Sequence, residues 1–128
     1  MRASGAVPIL RVAGILLVSI QVDLGDTVAE ALQEDILQAI SRTTSTGLII
    51  DVTGLEVIDS FVARVLVDTA RMARLMGTET VIVGLRPEVA ATLVRMGFDV
   101  SDVRAALDID SALVLLGCRI TRTDRRGR

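Results

Sequence analysis

The chain has few aromatic residues and contains no histidine, lysine, tyrosine or tryptophan. Its 128 residues include only two phenylalanines, and every basic residue is arginine. Proteins that bind single-stranded nucleic acid stack the bases on aromatic side chains, so this composition argues against that mode of binding. A net charge of -2 leaves no basic footprint for DNA or RNA either. We therefore expect an aliphatic core and no nucleic-acid partner.

The missing side chains also exclude several kinds of catalytic site. Without histidine the chain cannot build a Ser-His-Asp or Cys-His relay, and zinc loses its commonest ligand. Without lysine there is no P-loop and no Schiff-base chemistry. Catalysis would have to use carboxylates, hydroxyls and arginine, and no pair of these has a persuasive arrangement. We expect no enzyme, no metal site and no cofactor.

Long hydrophobic runs and paired cysteines are absent as well. No apolar run approaches the roughly 20 residues of a membrane-spanning helix, and the N-terminus lacks a signal-peptide pattern. The lone Cys118 cannot form an internal disulfide, which agrees with a reducing compartment. We expect a cytoplasmic protein without membrane association. Because 128 residues fit one domain and can bury a core, we expect a single domain over residues 1–128, with a flexible basic tail at residues 119–128.

Alternating strand and helix patterns predict an α/β fold. Strands are predicted at residues 7–12, 15–22, 48–52, 80–84 and 103–107, with a tight turn at residues 13–14. Helices are predicted to begin at a Thr27–Glu30 capping box, at Ser60, at Pro87 and after Asp108 or Asp110. Because strands separated by helices pair in parallel, the sheet should be mixed and mostly parallel, with an N-terminal β-hairpin and about four helices.

The helix predicted at residues 60–76, which should end at Gly77, is amphipathic. Its buried stripe is predicted to contain Val62, Val65, Leu66, Thr69, Met72, Ala73 and Met76. Arg64, Asp68 and Arg71 line the opposite side, as either a solvated face or a partner surface.

The segment before this helix carries the most informative residues. An apolar strand rich in β-branched residues ends near Asp51, a short polar loop follows, and Ser60 stands at the predicted helix start. A hydroxyl there can cap the helix by accepting a bond from a backbone N–H. It can also carry a phosphate, because free N–H groups and the helix dipole favour negative charge at an N-terminus. Position alone favours the cap and leaves the phosphate open.

A family resemblance favours the phosphate. Residues 51–66, with the sequence DVTGLEVIDSFVARVL, resemble the core motif of STAS domains, the anti-sigma-factor-antagonist family. The resemblance continues through residues 81–90, VIVGLRPEVA, and covers about residues 7–116. It is greatest to the small scaffold antagonists of the stressosome (RsbS type). In that family a partner kinase phosphorylates the serine or threonine after the motif aspartate. The matching residue here is Ser60, and Thr53 in the same loop is the rival acceptor.

The resemblance implies a regulatory role and a set of partners. The protein would be a phosphorylatable stressosome scaffold that holds a serine/threonine kinase of the anti-sigma type and releases it when Ser60 is phosphorylated. It would assemble with longer STAS paralogues that carry sensor modules, as a homo- or hetero-oligomer, and a phosphatase would act on Ser60. The residues expected at the kinase interface are Glu56, Asp59, Arg64 and Asp68.

Three other functions remain open at this point. The first is a free-standing anti-sigma-factor antagonist that binds its kinase one to one. Such antagonists more often have Asp-Ser-Ser-Gly-Leu where this chain has Asp-Ser-Phe-Val, from residue 59 onward. The second is an accessory STAS subunit of a lipid or anion transporter, for which nothing in the sequence marks a membrane partner. The third makes Asp51 a phospho-acceptor, as in response-regulator receivers, but receivers also need a lysine. Asp51 is therefore expected to accept a hydrogen bond in the loop or at the helix end.

Overall fold

The computed structural model describes residues 7–21, 23–98 and 103–117, which form an α/β fold around a five-stranded sheet. Its strands are β1 (Ile9–Val12), β2 (Ile15–Ser19), β3 (Gly47–Asp51), β4 (Glu79–Val83) and β5 (Arg104–Ala106). Its helices, within those residues, are α1 (Asp26–Thr43), α2 (Ser60–Leu75), α3 (Pro87–Arg95) and α4 (Ile109–Leu115). The predicted order of elements is confirmed, including the N-terminal hairpin.

The strands lie side by side in the order of the chain. β1 runs antiparallel to β2, and β2 to β5 pair in parallel, so the sheet is mixed and mostly parallel as predicted. Ala13 and Gly14 form the hairpin turn with φ of 52° and 81°. Two successive residues with positive φ match the right-handed twist of the flanking strands. Because parallel crossovers are right-handed and the strands advance in one direction, α1, α2 and α3 lie on the same face of the sheet.

Two apolar clusters cover the two faces of the sheet. Alternate residues of β3 show the division, because successive side chains of a strand point to opposite faces. Leu48 and Ile50 pack in the larger cluster with α1, α2 and Val89 of α3. Ile49 packs in the smaller cluster with Ala112 of α4. The loop that connects β3 to Ser60 leaves the end of this central strand.

Helix α2 is held against α1 by polar as well as apolar contacts. The side-chain amide of Gln33 donates to the Val65 carbonyl at 3.3 Å and to the Thr69 hydroxyl at 3.0 Å. The Thr69 hydroxyl in turn donates to the Val65 carbonyl at 2.6 Å. This network satisfies a buried threonine, and it fixes α2 and therefore the position of its first residue.

The predicted capping box of α1 is wrong. The helix begins one residue earlier than Thr27, and Gly25 is the N-cap, without a side-chain hydrogen bond. Gly25 has extended backbone angles, and its carbonyl accepts from the Ala29 N–H at 2.9 Å. Thr27 therefore lies inside the first turn, where its hydroxyl cannot act as a cap.

The predicted buried stripe of α2 is wrong at both methionines. Met72 and Met76 are 39% and 44% exposed. The buried arc also includes Ala63, Val67 and Ala70, so it is turned further toward the sheet than the stripe predicted. Met72 falls just outside this arc, and Met76 is the C-cap beyond the last helical residue.

The remaining element boundaries agree closely with the predictions. Strand β2 ends at Ser19 rather than at residue 22, because its parallel partner β3 ends at Asp51. The Asp108 carboxylate caps α4 by accepting from the Ser111 N–H at 2.8 Å, which decides between the two predicted caps. Val22, Cys118 and the predicted tail at residues 119–128 lie outside the described residues.

Candidate functional site

Asp59 and Ser60 have separate roles at the start of α2. Asp59 is the N-cap, with φ of -89° and ψ of 171°, and its Oδ1 accepts from the Val62 N–H at 2.8 Å. Its carbonyl accepts from the Ala63 N–H at 3.0 Å. Ser60 is the first helical residue, and its side chain is exposed. The cap that position alone favours at Ser60 is therefore formed by Asp59, and Ser60 is an exposed residue of the first turn without a capping role.

The loop between β3 and α2 is fixed by its own backbone and by buried side chains. Asp51 Oδ1 accepts from the Thr53 N–H at 2.9 Å, which confirms the predicted role of Asp51 as a loop acceptor. The Leu55 N–H donates to the Val52 carbonyl at 2.9 Å and closes a turn. Leu55 and Ile58 are 1% and 8% exposed. These two anchors hold the segment that delivers Ser60 to the surface.

The same loop packs tightly against the ends of neighbouring strands. A Cβ atom placed on Gly54 would lie 2.8 Å from the Ile20 carbonyl oxygen. A Cβ atom on Gly84, which has φ of +82°, would overlap Thr53 Oγ1. Arg86 Nη2 donates to the Thr53 carbonyl at 3.3 Å. Thr53, the rival acceptor, is also exposed, but its hydroxyl lies close to Gly84 at the end of β4.

Exposed apolar side chains lie beside Ser60. Val57 is 74% exposed and Phe61 is 38% exposed. Val57 also lines a cleft of about 190 Å³ together with Asp23, Leu24 and Asp59. The surface around the serine thus combines apolar side chains with carboxylates, a composition suited to protein contact at its centre and to charge control at its rim.

The four predicted interface residues lie along this loop and the outer side of α2. Glu56, Asp59 and Arg64 are exposed. Asp68 is half-buried and pairs with Arg71 at 3.5 Å between Oδ1 and Nη1. Asp59 adjoins Ser60, Arg64 follows one helical turn later, and Asp68 follows one turn after that. Ser60, Arg64 and Asp68 therefore follow one another at four-residue spacing along α2, whereas Glu56 and Asp59 belong to the loop and cap before it.

Arg64 has a partner that sequence reasoning missed. Its guanidinium carbon lies 5.6 Å from the centre of the Phe98 ring, within the range of a cation–π contact. Phe98 follows α3, 34 positions later in the chain, and no local pattern connects it with α2. The contact forms because α2 and α3 lie on the same face of the sheet.

A second group of carboxylates lies at the opposite side of the loop. Asp51, Asp108 and Asp110 line a shallow cleft of about 340 Å³ with Thr53. Within the described ranges, no three metal-ligating side chains are placed so that they could hold an ion. In the same part of the chain, no helix combines the length and apolar character needed to cross a membrane.

Comparison with known proteins assigns the fold and the family. The profile of the STAS domain matches residues 6–112. A structure of a serine-to-glutamate variant of RsbS from Moorella thermoacetica superposes with a TM-score of 0.79 at 38% identity, over 87% of this chain and 94% of that one. A second similar chain comes from a structure titled "Molecular architecture of the stressosome, a signal integration and transduction hub". It superposes with a TM-score of 0.74 at 37% identity, over 86% of this chain and 96% of that one.

A curated relative is similar in sequence but longer. The RsbT co-antagonist protein RsbRD of Bacillus subtilis is 33% identical over 92 residues, which are 72% of this chain and 33% of that protein. This chain thus spans about a third of that relative's length. The match over most of the chain, together with the five-stranded sheet and the exposed serine at the start of α2, shows that the protein belongs to the STAS-domain family and is similar to the RsbS-type antagonists of the stressosome.

Proposed function

We propose that this chain is a phosphorylatable scaffold component of a stressosome that holds a serine/threonine kinase of the anti-sigma type and releases it when Ser60 is phosphorylated. The observation that carries the proposal is the exposed Ser60 hydroxyl, free of a capping role, on a STAS domain similar to RsbS. The protein is the substrate in this account. Longer STAS paralogues with sensor modules are the proposed assembly partners, and a phosphatase restores the free hydroxyl.

The local charges explain how phosphate at Ser60 would change partner binding. Phosphorylation adds about -1.5 to -2 charges. The helix N-terminus tolerates that charge, because its free N–H groups and dipole favour anions. Glu56 and Asp59 already place carboxylates in the same exposed segment. A partner that packs on Val57 and Phe61 would then meet a concentrated negative surface and lose affinity by repulsion and desolvation.

Phosphorylation itself is tested first. The curated relatives are named as RsbT co-antagonist proteins, so a kinase of the RsbT type is the one to use. Incubation with that kinase and ATP, followed by peptide mass spectrometry, should place the phosphate on Ser60. Ser60→Ala should abolish the modification, and the matched variant Thr53→Ala should leave it intact. Phosphate confined to Thr53 or another residue would refute the proposed site.

Release is tested by calorimetric titration of the kinase. Wild type and Ser60→Ala should bind it, and the phosphorylated protein should bind at least tenfold more weakly, which corresponds to about 1.4 kcal/mol. Ser60→Asp should weaken binding less, because one carboxylate carries less charge than a phosphate. Equal affinities of the free and phosphorylated forms would reject the switch.

The interface is tested at Arg64 with a control for its ring contact. Arg64→Glu should cost on the order of 1–3 kcal/mol in kinase binding, by analogy with the penalty for like charges placed across an interface. Phe98→Leu removes the ring and keeps the arginine, so it separates the loss of the stacking contact from the loss of the charge. Full kinase affinity in a folded Arg64→Glu protein would move the binding surface away from this side of α2.

A further inference from the structure

The Arg64–Phe98 contact connects the phosphoacceptor helix with the end of α3. Arg64 is exposed, and its guanidinium carbon lies 5.6 Å from the Phe98 ring centre. Phe98 is half-buried and follows Gly97, which has φ of +81°. Its N–H donates to the Leu93 carbonyl at 3.3 Å, so its backbone is tied to the last turn of α3. Phe98 is therefore tied to α3 through its backbone, while its ring contacts the guanidinium of Arg64 on α2.

Phe98 is also a wall of an apolar cavity. The cavity has a volume of about 360 Å³, and its lining includes Val67 of α2, Leu93 of α3 and Val103. This apolar space beside the ring gives Phe98 a second surface on which it can pack if its contact with Arg64 is lost. A change at Arg64 can therefore alter the packing at the end of α3.

Ser60 and Arg64 are neighbours on the surface of α2. They are four positions apart in a helix, and side chains at this spacing lie about 5–6 Å apart between Cβ atoms. The guanidinium fork matches phosphate in shape and forms charge-assisted bonds that are stronger than contacts between neutral groups. The phosphate would carry about -1.5 to -2 charges, whereas the ring offers only a quadrupole.

We propose that Arg64 transmits phosphorylation of Ser60 to Phe98. In the unphosphorylated chain the guanidinium lies on the Phe98 ring. Phosphate on Ser60 draws the guanidinium back along α2, and Phe98 loses its cation and repacks against the cavity. This inference rests on the proposed phosphorylation of Ser60. A partner that touches only the end of α3 would then sense the state of a serine on α2.

The test reads the ring directly and does not need the kinase. Phosphoserine is incorporated at position 60 by genetic encoding, and phenylalanine is labelled with carbon-13. Because the chain contains only two phenylalanines, Phe61 and Phe98 give two sets of ring signals, and Phe98→Leu assigns them. The Phe98 signals should shift on phosphorylation in wild type. In Arg64→Gln they should already be displaced without phosphate and should not shift further when it is added.

A matched arginine separates this route from a general charge effect. Arg86 donates to the Thr53 carbonyl at 3.3 Å in the neighbouring loop. Arg86→Gln should keep the full Phe98 shift, and the pKa of the phosphoserine should rise in Arg64→Gln but not in Arg86→Gln, because a bound cation stabilises the dianion. An unmoved Phe98 signal in phosphorylated wild type, or an equal shift in Arg64→Gln, would overturn the inference. Since the phosphate is built in, neither result depends on whether the cell's kinase modifies Ser60.

Discussion

At the scale of single residues, the candidate site contains two neighbouring side chains, Asp59 and Ser60, with different roles. Asp59 has a structural role, because its carboxylate satisfies the Val62 N–H at the start of α2. Ser60 has no such bond to preserve at the cap, so its hydroxyl can be modified without removing a helix end. Separation of the two roles would let the proposed phosphate be added and removed while the helix stays formed.

This separation predicts unequal stability costs for two alanine substitutions. Asp59→Ala should lower the free energy of unfolding by about 1 kcal/mol, the usual cost of a lost N-cap. Ser60→Ala should change it by less than about 0.5 kcal/mol, as expected for an exposed residue without such a contact. Urea unfolding of both variants measures the difference, and Asp59→Asn serves as the control that keeps a capping oxygen. A larger loss in Ser60→Ala than in Asp59→Ala would contradict the assignment of the cap.

At the scale of elements, the loop after β3 is positioned by its fit against the end of β4. Gly84 makes that fit possible, because it has φ of +82° and a Cβ there would overlap the Thr53 side chain. Gly77 has a similar φ of +86°, but a Cβ there would meet nothing within 4 Å. An alanine at either position would therefore strain the backbone, but only an alanine at position 84 would also clash with Thr53.

The glycine pair gives a matched test of loop packing. Gly77→Ala should cost about 1–2 kcal/mol, from the positive φ alone. Gly84→Ala should cost more, and it should displace Thr53, whereas Gly77→Ala should not. Thermal unfolding gives the two stabilities, and amide chemical shifts of residues 51–60 report on the loop. Equal costs with an unmoved loop would show that Thr53 does not pack on Gly84 in solution.

Asp108, the N-cap of α4, has a carboxyl pKa that is shifted from its usual value. The hydrogen bond from the Ser111 backbone N–H, with a smaller contribution from the Ser111 side chain, lowers the pKa of Asp108 below its usual value. A lowered pKa in the folded state means that the carboxylate stabilises the fold above about pH 4, the usual pKa of aspartate, and that this stabilisation is lost as the pH falls through the folded value.

We expect Asp108→Asn to remove this part of the acid sensitivity. Asparagine is also a good N-cap, so the helix start should be retained while the titrating charge is removed. The Asp108 carboxyl pKa is measured by NMR titration, and unfolding curves of both proteins are compared between neutral pH and pH 3. The expected result is a smaller difference between the two stabilities at the acid end. An Asp108 pKa at or above that of a free aspartate would contradict the prediction.

At the scale of the whole molecule, the described residues cover only part of the sheet face that carries α4. Leu10 and Val12 of β1 are 55% and 53% exposed, and Val114 of α4 is 67% exposed. Leu10 pairs with Leu17 and Val12 pairs with Ile15, both of which belong to the α4 side of the core. Exposed apolar surface of this kind favours association with other chains, in agreement with a proposed scaffold role.

Particle size distinguishes the scaffold from the free-standing antagonist. Mass photometry of the protein mixed with a longer STAS paralogue should show particles far larger than a one-to-one complex. Leu10→Glu should weaken this assembly if the open face contributes to it, and the matched exposed variant Leu75→Glu on α2 controls for a general effect of charge. Complexes of the kinase and one copy of this chain, without larger particles, would favour the one-to-one anti-sigma-factor antagonist.

The sequence by itself determined the order of the elements and the place of the candidate site. Period-two and helical patterns, with glycine and proline at the boundaries, are local signals that each segment carries independently of its partners. They gave the β1–β2 hairpin, the start of α3 at Pro87 and the segment that ends at Ser60. The family resemblance rested on the same contiguous residues.

Only the tertiary structure decided which side chains act together. Asp59 and Ser60 are both residue types that cap helices well, so the local sequence could not choose between them. The structure decides, because Asp59 has extended backbone angles and its carboxylate accepts from the Val62 N–H. The outward position of Met72 followed from the rotation of α2 on the sheet. The Arg64–Phe98 contact needed α2 and α3 on the same face. Contacts between distant residues depend on how elements pack, and a local pattern of 10 or so residues holds no information about that.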